Sequence, residues 1–200
     1  MELFLRWFLP LYLLAYLITA LLWRSYLLWK ETGVNPYVLG RTERPSDLVG
    51  AWFRLTLGGL SGVVVLYAVA PGLYAYMTPI SWLQSPILMG VGLTLLLSAF
   101  VWVLIAQAQM GRSWRIGIDT REAPQLIQHG LFKLSRNPIF LGMRVTLLGF
   151  FLVLPNAILF AVLLLGEALI QIQVRLEEEH LAWVHGEPYL AYRKLTRRWL

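Results

Sequence analysis

The stretch IFLGMRVTLLGFFLVLPNAILFAVLLLGEALIQIQV, from Ile139 to Val174, decides the fold. Its 36 positions carry two charges, Arg144 and Glu167, and a turn signal, Pro155-Asn156, near the middle. As a single helix at 1.5 Å per residue it would reach about 54 Å, well beyond a hydrocarbon core of about 30 Å. It therefore reads as a tight helical hairpin, with both arms on the short side of the spanning range.

Upstream, no charged residue occurs from Leu55 to Gly111. A span needs about 20 residues, so this run holds two, broken near Thr78-Pro79 and Ser85-Pro86. The N-terminus is apolar from Trp7 to Trp23, between Arg6 and Arg24. A signal peptide would have a shorter apolar region followed by small residues; Leu21-Leu22-Trp23-Arg24 stands there instead, and a retained first span is expected. Composition agrees: 58% of the residues are hydrophobic and 14% charged, where a soluble domain carries about 25% charged. Disorder is excluded, and a soluble globular fold is a poor fit. Without cysteine there can be no disulfide, thiolate zinc site, iron–sulfur cluster or thiol nucleophile.

The net charge of +6 reports membrane topology rather than nucleic-acid binding. Lys and Arg cluster in three places: 24–54, 112–136 (Arg112, Arg115, Arg121, Lys133, Arg136) and the tail (Arg175, Arg193, Lys194, Arg197, Arg198). If the last apolar stretch is a hairpin, all three clusters face one side and only Arg6 lies opposite. The positive-inside rule then gives about five spans, the N-terminus outside and the C-terminal helical tail in the cytoplasm. The fold class expected is all-α integral membrane. Gly58-Gly59-Leu60-Ser61-Gly62 contains a G-x-x-x-G spacing suited to close helix packing.

Polar chemistry gathers where the hairpin begins and ends. Arg136-Asn137-Pro138 is a helix start: Asn can cap, Pro fits the first position, and the free N–H groups with Arg136 favour an anion. Opposite stand Glu177, Glu178 and Glu179, on a helix expected to continue to about Gly186. Together they suit a zwitterionic or cationic ligand at the membrane interface, or else form a salt-bridge network with no ligand. Arg144 and Glu167 are costly inside a membrane; they either pair across the hairpin, or Arg144 contacts substrate. His180 and His185, five apart with no third partner, make a poor metal site, and no metal is expected. No dinucleotide, Walker A or nucleophile-elbow motif occurs.

The segment His129-Gly130-Leu131-Phe132-Lys133-Leu134-Ser135-Arg136-Asn137-Pro138-Ile139-Phe140-Leu141-Gly142 resembles the G-x-Y-x-x-x-R-H-P-x-Y-x-G signature of the isoprenylcysteine carboxyl methyltransferase and phospholipid methyltransferase families. Glu177-Glu178-Glu179-His180-Leu181, His185-Gly186, Tyr189 and Tyr192 are similar to the second half of that pattern. Met110-Gly111-Arg112-Ser113-Trp114-Arg115-Ile116-Gly117 is similar to bacterial members. Asn137 stands in place of His, Phe132 and Phe140 in place of Tyr, and His185 in place of Phe.

The resemblance implies a methyltransferase core over 111–200, behind three spans in 1–110. It implies S-adenosylmethionine as donor, bound by Leu126, Ile127, His129, Gly130, Phe132, Asn137, Pro138, Ile139, Phe140, Glu177 and Glu178. Arg136 and Glu177 are expected to be central to the chemistry, and His129 is the candidate base should the acceptor carry a proton. A substrate-contacting family position falls on Gln173 by strict spacing, with Arg175 the nearest basic residue. The acceptor implied is a lipophilic small molecule or lipidated substrate, carrying a carboxylate or another nucleophile, reached from the bilayer of a bacterial inner membrane. No nucleic-acid partner is expected. Two other readings are an NADPH-dependent reductase of the sterol-reductase type and a non-catalytic membrane scaffold.

Overall fold

A computed structural model of the protein describes residues 1–33, 45–113 and 125–200. Arg41, Arg44, Arg115, Arg121 and the Trp114–Gly117 segment lie outside them. The described chain is all-α: α1 (Glu2–Leu17), a π-helical turn (Ile18–Trp23), α2 (Arg24–Thr32), α3 (Pro45–Val69), the short α4 (Pro71–Tyr74), α5 (Pro86–Met110), α6 (Pro138–Val153), α7 (Ala157–His185) and α8 (Glu187–Leu195). Among the described residues, four helical stretches are long and apolar enough to cross a membrane: Glu2–Glu31, Asp47–Val69, Pro86–Met110 and Ala157–His185. This is an integral membrane fold.

The expected hairpin is present, but its arms are unequal. α6 has 16 residues, about 24 Å, while α7 has 29 and runs on past the apolar stretch to His185, in line with the expected continuation to about Gly186. The reason is local: no helix breaker follows Val174 until Gly186, whose φ of +58° ends α7 in a conformation glycine takes without cost. At the turn, the Asn156 side chain accepts from the Leu159 N–H at 2.9 Å and caps α7. The loop between α4 and α5 docks on the same turn, with Ile80 N donating to Pro155 O at 2.8 Å and Ala157 N to Thr78 O at 3.2 Å. The first span likewise outruns its apolar core, continuing through α2 until Gly33 at φ +70°.

The core is a slab of Leu5, Leu9, Tyr12 and Leu13 from α1, Leu60, Val63 and Val64 from α3, Leu96 from α5, Phe150 and Phe151 from α6, and Leu159 and Val162 from α7. α5 and α6 pack most intimately, and glycine makes this possible. A Cβ on Gly149 would sit 2.9 Å from Leu96 Cγ and 3.1 Å from the Gly92 carbonyl; one on Gly92 would sit 2.9 Å from the Gly149 carbonyl. The G-x-x-x-G pair that the sequence offered is not the one used within the chain: Cβ atoms on Gly58 and Gly62 would meet nothing within 4 Å, and only Gly59 between them touches a neighbour, Val162. Spacing alone does not say which glycines a partner helix will cover.

Gly149→Ala is therefore expected to cost about 1–3 kcal/mol of stability, the usual size for an overpacked helix contact. Gly58→Ala and Gly62→Ala, with open space and a better helix former, should be neutral or stabilising. Thermal unfolding in one detergent separates the two outcomes; an unaffected Gly149→Ala protein would contradict the α5–α6 contact.

Candidate functional site

Three segments converge where α6 begins. A short 3₁₀ turn, Gly130–Lys133, precedes α6, and its entry requires glycine: Gly130 has φ +58°, and the Gln109 side chain fills the space a Cβ would need. Gln109 Oε1 accepts from Leu131 N at 2.8 Å, and Tyr192 of α8 donates its hydroxyl to Phe132 O at 2.6 Å. α6 then opens with Pro138 at its first position, as the sequence indicates, but Asn137 does not cap it. Its Nδ2 donates instead to Glu178 Oε1 at 2.9 Å and to Arg198 O at 3.3 Å. The attraction of a buried carboxylate outcompetes the local cap.

Glu178 is the hub. Its side chain is 6% exposed, and two guanidinium groups reach it: Arg136 NH2 at 3.0 Å from Oε1 and Arg198 NH2 at 2.9 Å from Oε2. The rest of the Arg136 guanidinium is also committed, with Nε on Glu178 Oε1 at 3.2 Å and NH1 on the Thr196 and Arg193 carbonyls at 2.5 and 3.2 Å. The salt-bridge alternative is thus present in full at Glu178. Beside it, burial pushes the Tyr189 phenol up to about 12, with the Glu178 charge adding to the shift. Burial first, and then Tyr189, push Tyr192 up to about 12. The hydrogen bond to Glu178 raises the Arg198 guanidinium further, so these groups keep one protonation state through the neutral range.

A cavity of about 470 Å³ opens next to this hub, within the size range of small-molecule sites. Phe132, Arg136, Asn137, Pro138, Ile139 and Phe140 line it from the start of α6, and Gln173 and Glu177 line it from α7. Gln173 and Glu177 are four residues apart, one helical turn, and so share a face. Gln173 is 5% exposed, and its Oε1 has no hydrogen-bond partner. Away from the polar end the wall is mostly apolar, with Leu13, Leu17 and Leu21 of the first span, Leu57 and Leu60 of α3, and Met143, Leu147 and Phe150 of α6. Ser25, Arg54, Thr56, Gln107 and Thr146 add polar groups to it.

The remaining candidates stand outside the cavity's lining: Leu126, Ile127, His129, Gly130, Glu178, Arg144 and Arg175. His129 is exposed. Arg175 is exposed too and bonds Gln171 O at 2.7 Å, so of the two alternatives it is Gln173 that faces the cavity. Arg144 pairs with Glu167 across the hairpin at 2.7 Å and covers the Trp199 ring at 4.4 Å. The sequence marks Arg198 only as part of the basic tail, and it does not single out Gln107 or Thr146 at all. Gln107 lines the cavity and donates to Ala20 O at 2.9 Å, tying α5 to the π-helical turn. No local motif marks any of the three.

The profile of the phospholipid methyltransferase family matches residues 87–187, α5 through the end of α7 and with it the polar end of the cavity. The chain belongs to the phospholipid methyltransferase family. A search of curated proteins finds no match. As a membrane methyltransferase, the protein places its family-matched Glu pair in two environments: Glu177 on the cavity and Glu178 in the ion-pair hub.

That difference is measurable as stability. Glu178→Gln removes the shared partner of two guanidinium groups and is expected to cost about 3–5 kcal/mol, the usual cost of breaking a buried pair from one side. Glu177→Gln should leave the melting temperature nearly unchanged. Chemical denaturation in detergent reads both; equal losses would mean that the two acids share one structural role.

Proposed function

We propose that the protein transfers a methyl group from S-adenosylmethionine to a lipophilic acceptor that enters from the bilayer. The observation that carries this reading is the composition of one cavity, whose polar end belongs to the family-matched helices and whose remaining wall is mostly apolar. The donor is a zwitterion with an added sulfonium charge. Glu177 offers an anion to its cationic part. The first turn of α6 has no side-chain cap on its N–H groups and offers them to a carboxylate. Gln173, buried with an unpartnered oxygen, offers a further hydrogen bond. The residues present fit the group.

When bound, S-adenosylmethionine supplies an electrophilic methyl carbon. The protein's contribution is position and exclusion. Glu177, Asn137 and the α6 start hold the polar donor at one end, and the leucines and Phe150 present an apolar acceptor tail while keeping water out. For an in-line displacement, fixing the two partners in register accounts for most of what a protein can supply. A carboxylate acceptor needs no base; for an acceptor that must lose a proton, Glu177 is better placed than His129 because it faces the cavity. The reductase alternative has less support: the family matched over 87–187 is one of phospholipid methyltransferases, and the Arg136 guanidinium on the cavity is spent on Glu178. The basic clusters favour a cytoplasmic site in a bacterial inner membrane, with the N-terminus outside.

Calorimetry with the detergent-solubilised protein should show S-adenosylmethionine binding and no NADPH binding. Glu177→Gln should weaken that binding by about 1.5–3 kcal/mol, the scale of a hydrogen bond to a charged group. Labelled-methyl transfer into a total lipid extract then identifies the acceptor. Unchanged affinity in the Glu177→Gln protein removes Glu177 from the site, and absence of binding in the wild type ends the reading. For orientation, single cysteines at the exposed Gln128 and Lys194 should label only in permeabilised cells.

A further inference from the structure

The family match ends at residue 187, yet the chain beyond it returns to the site. After α8, three consecutive carbonyls lie along the start of α6. Thr196 O accepts from Arg136 NH1 at 2.5 Å. Arg197 O accepts from the Arg136 backbone N–H at 2.9 Å. Arg198 O accepts from Ser135 Oγ at 3.1 Å and from Asn137 Nδ2 at 3.3 Å. Trp199 then lies against the Arg144 guanidinium, itself paired with Glu167 of α7. The tail is thus tied to both arms of the hairpin.

We infer that Arg198 is a positioning residue of the methyl-donor site: by holding Glu178 from the tail side, it fixes the Arg136–Asn137 segment and the first turn of α6 against the cavity. The inference rests on the S-adenosylmethionine reading above. Its argument is the bonding of one carboxylate. Oε2 of Glu178 takes Arg198 Nε at 3.1 Å, Arg198 NH2 at 2.9 Å and Arg136 NH2 at 3.2 Å. Oε1 takes Arg136 Nε, Arg136 NH2 and Asn137 Nδ2 at 3.2, 3.0 and 2.9 Å, with Arg198 Nε at 3.2 Å. Without Arg198, two of the three bonds to Oε2 vanish. The carboxylate is then free to turn toward Arg136, and Asn137, which lines the cavity, follows the oxygen it is bonded to. Apart from the Trp199 ring against Arg144, the tail's other ties are made by backbone carbonyls, which any sequence would supply. At Arg198 the side chain matters, and it acts on the donor's neighbours through Glu178 rather than by touching the cavity, which it does not line.

The test uses the full-length protein in detergent with Arg198→Ala, Arg198→Lys and, as a charge control, Arg197→Ala at the exposed neighbour. Calorimetry gives the S-adenosylmethionine Kd, and hydrogen exchange without ligand reads the amides of 135–141. Arg198→Ala should weaken binding about tenfold, the size of one hydrogen bond to a charged group. It should also speed exchange at the Arg136 amide; Arg198→Lys should recover most of both, and Arg197→Ala should change neither. A folded Arg198→Ala protein with wild-type Kd and unchanged exchange overturns the inference, even if its melting temperature falls. Should Arg198→Ala not fold, Arg198→Gln, which keeps a hydrogen bond without the charge, carries the same comparison. If the wild type binds no S-adenosylmethionine, the functional reading fails. The exchange arm then still decides whether Arg198 holds the α6 start.

Discussion

A carboxylate on an apolar hairpin must draw its cations from elsewhere in the chain, and Glu178 does so from two directions. Arg136 comes from the segment before α6, and Arg198 comes from the tail beyond α8. An unpaired buried charge costs several kcal/mol, and a pair recovers that cost only with good geometry and satisfied neighbours. Asn137 supplies the remaining donor, and the tail carbonyls satisfy the rest of the Arg136 guanidinium. The position of the α6 start, the course of the tail and the docking of α8 are therefore coupled. None of them can move without exposing Glu178 to an incomplete shell.

This coupling divides two neighbouring acids by environment. Successive positions on a helix point about 100° apart, so a hub that captures residue 178 turns residue 177 away from itself. That direction is the cavity, where Gln173 lies one turn earlier on the same face. An acid pair on one helix can thus place one charge in an ion-pair hub and the other on a cavity wall without either competing for the same partners.

The sequence made the architecture legible because hydrophobic length and turn chemistry are local properties. The Pro155-Asn156 turn, the Pro138 helix start and the Gly186 stop are all where the residues place them. The convergence of Arg136 with the Glu cluster was also visible, since a hairpin must bring its two ends together. What could not be read depends on rotation and on return. Whether Gly58 or Gly92 faces a neighbouring helix depends on which side of each helix is covered. Whether Glu177 or Glu178 faces Arg136 turns on a single residue step. The tail's path back to Ser135 is made largely with backbone carbonyls, which leave no trace in side-chain identity.

The unequal hairpin explains why such a clasp is needed. α6 reaches about 24 Å, less than the roughly 30 Å of a hydrocarbon core. If the turn at Leu154 and Pro155 reaches one face of the apolar layer, the first turn of α6 stops short of the other. Helix starts in such a place cannot leave their polar groups to bulk water; protein must supply the partners. The longer α7 brings Glu178 to that depth, and the tail folds inward to complete the shell. The same shortfall keeps the polar end of the cavity next to its apolar wall. In the reaction we propose, a water-soluble donor and a membrane-dissolved acceptor meet at that junction.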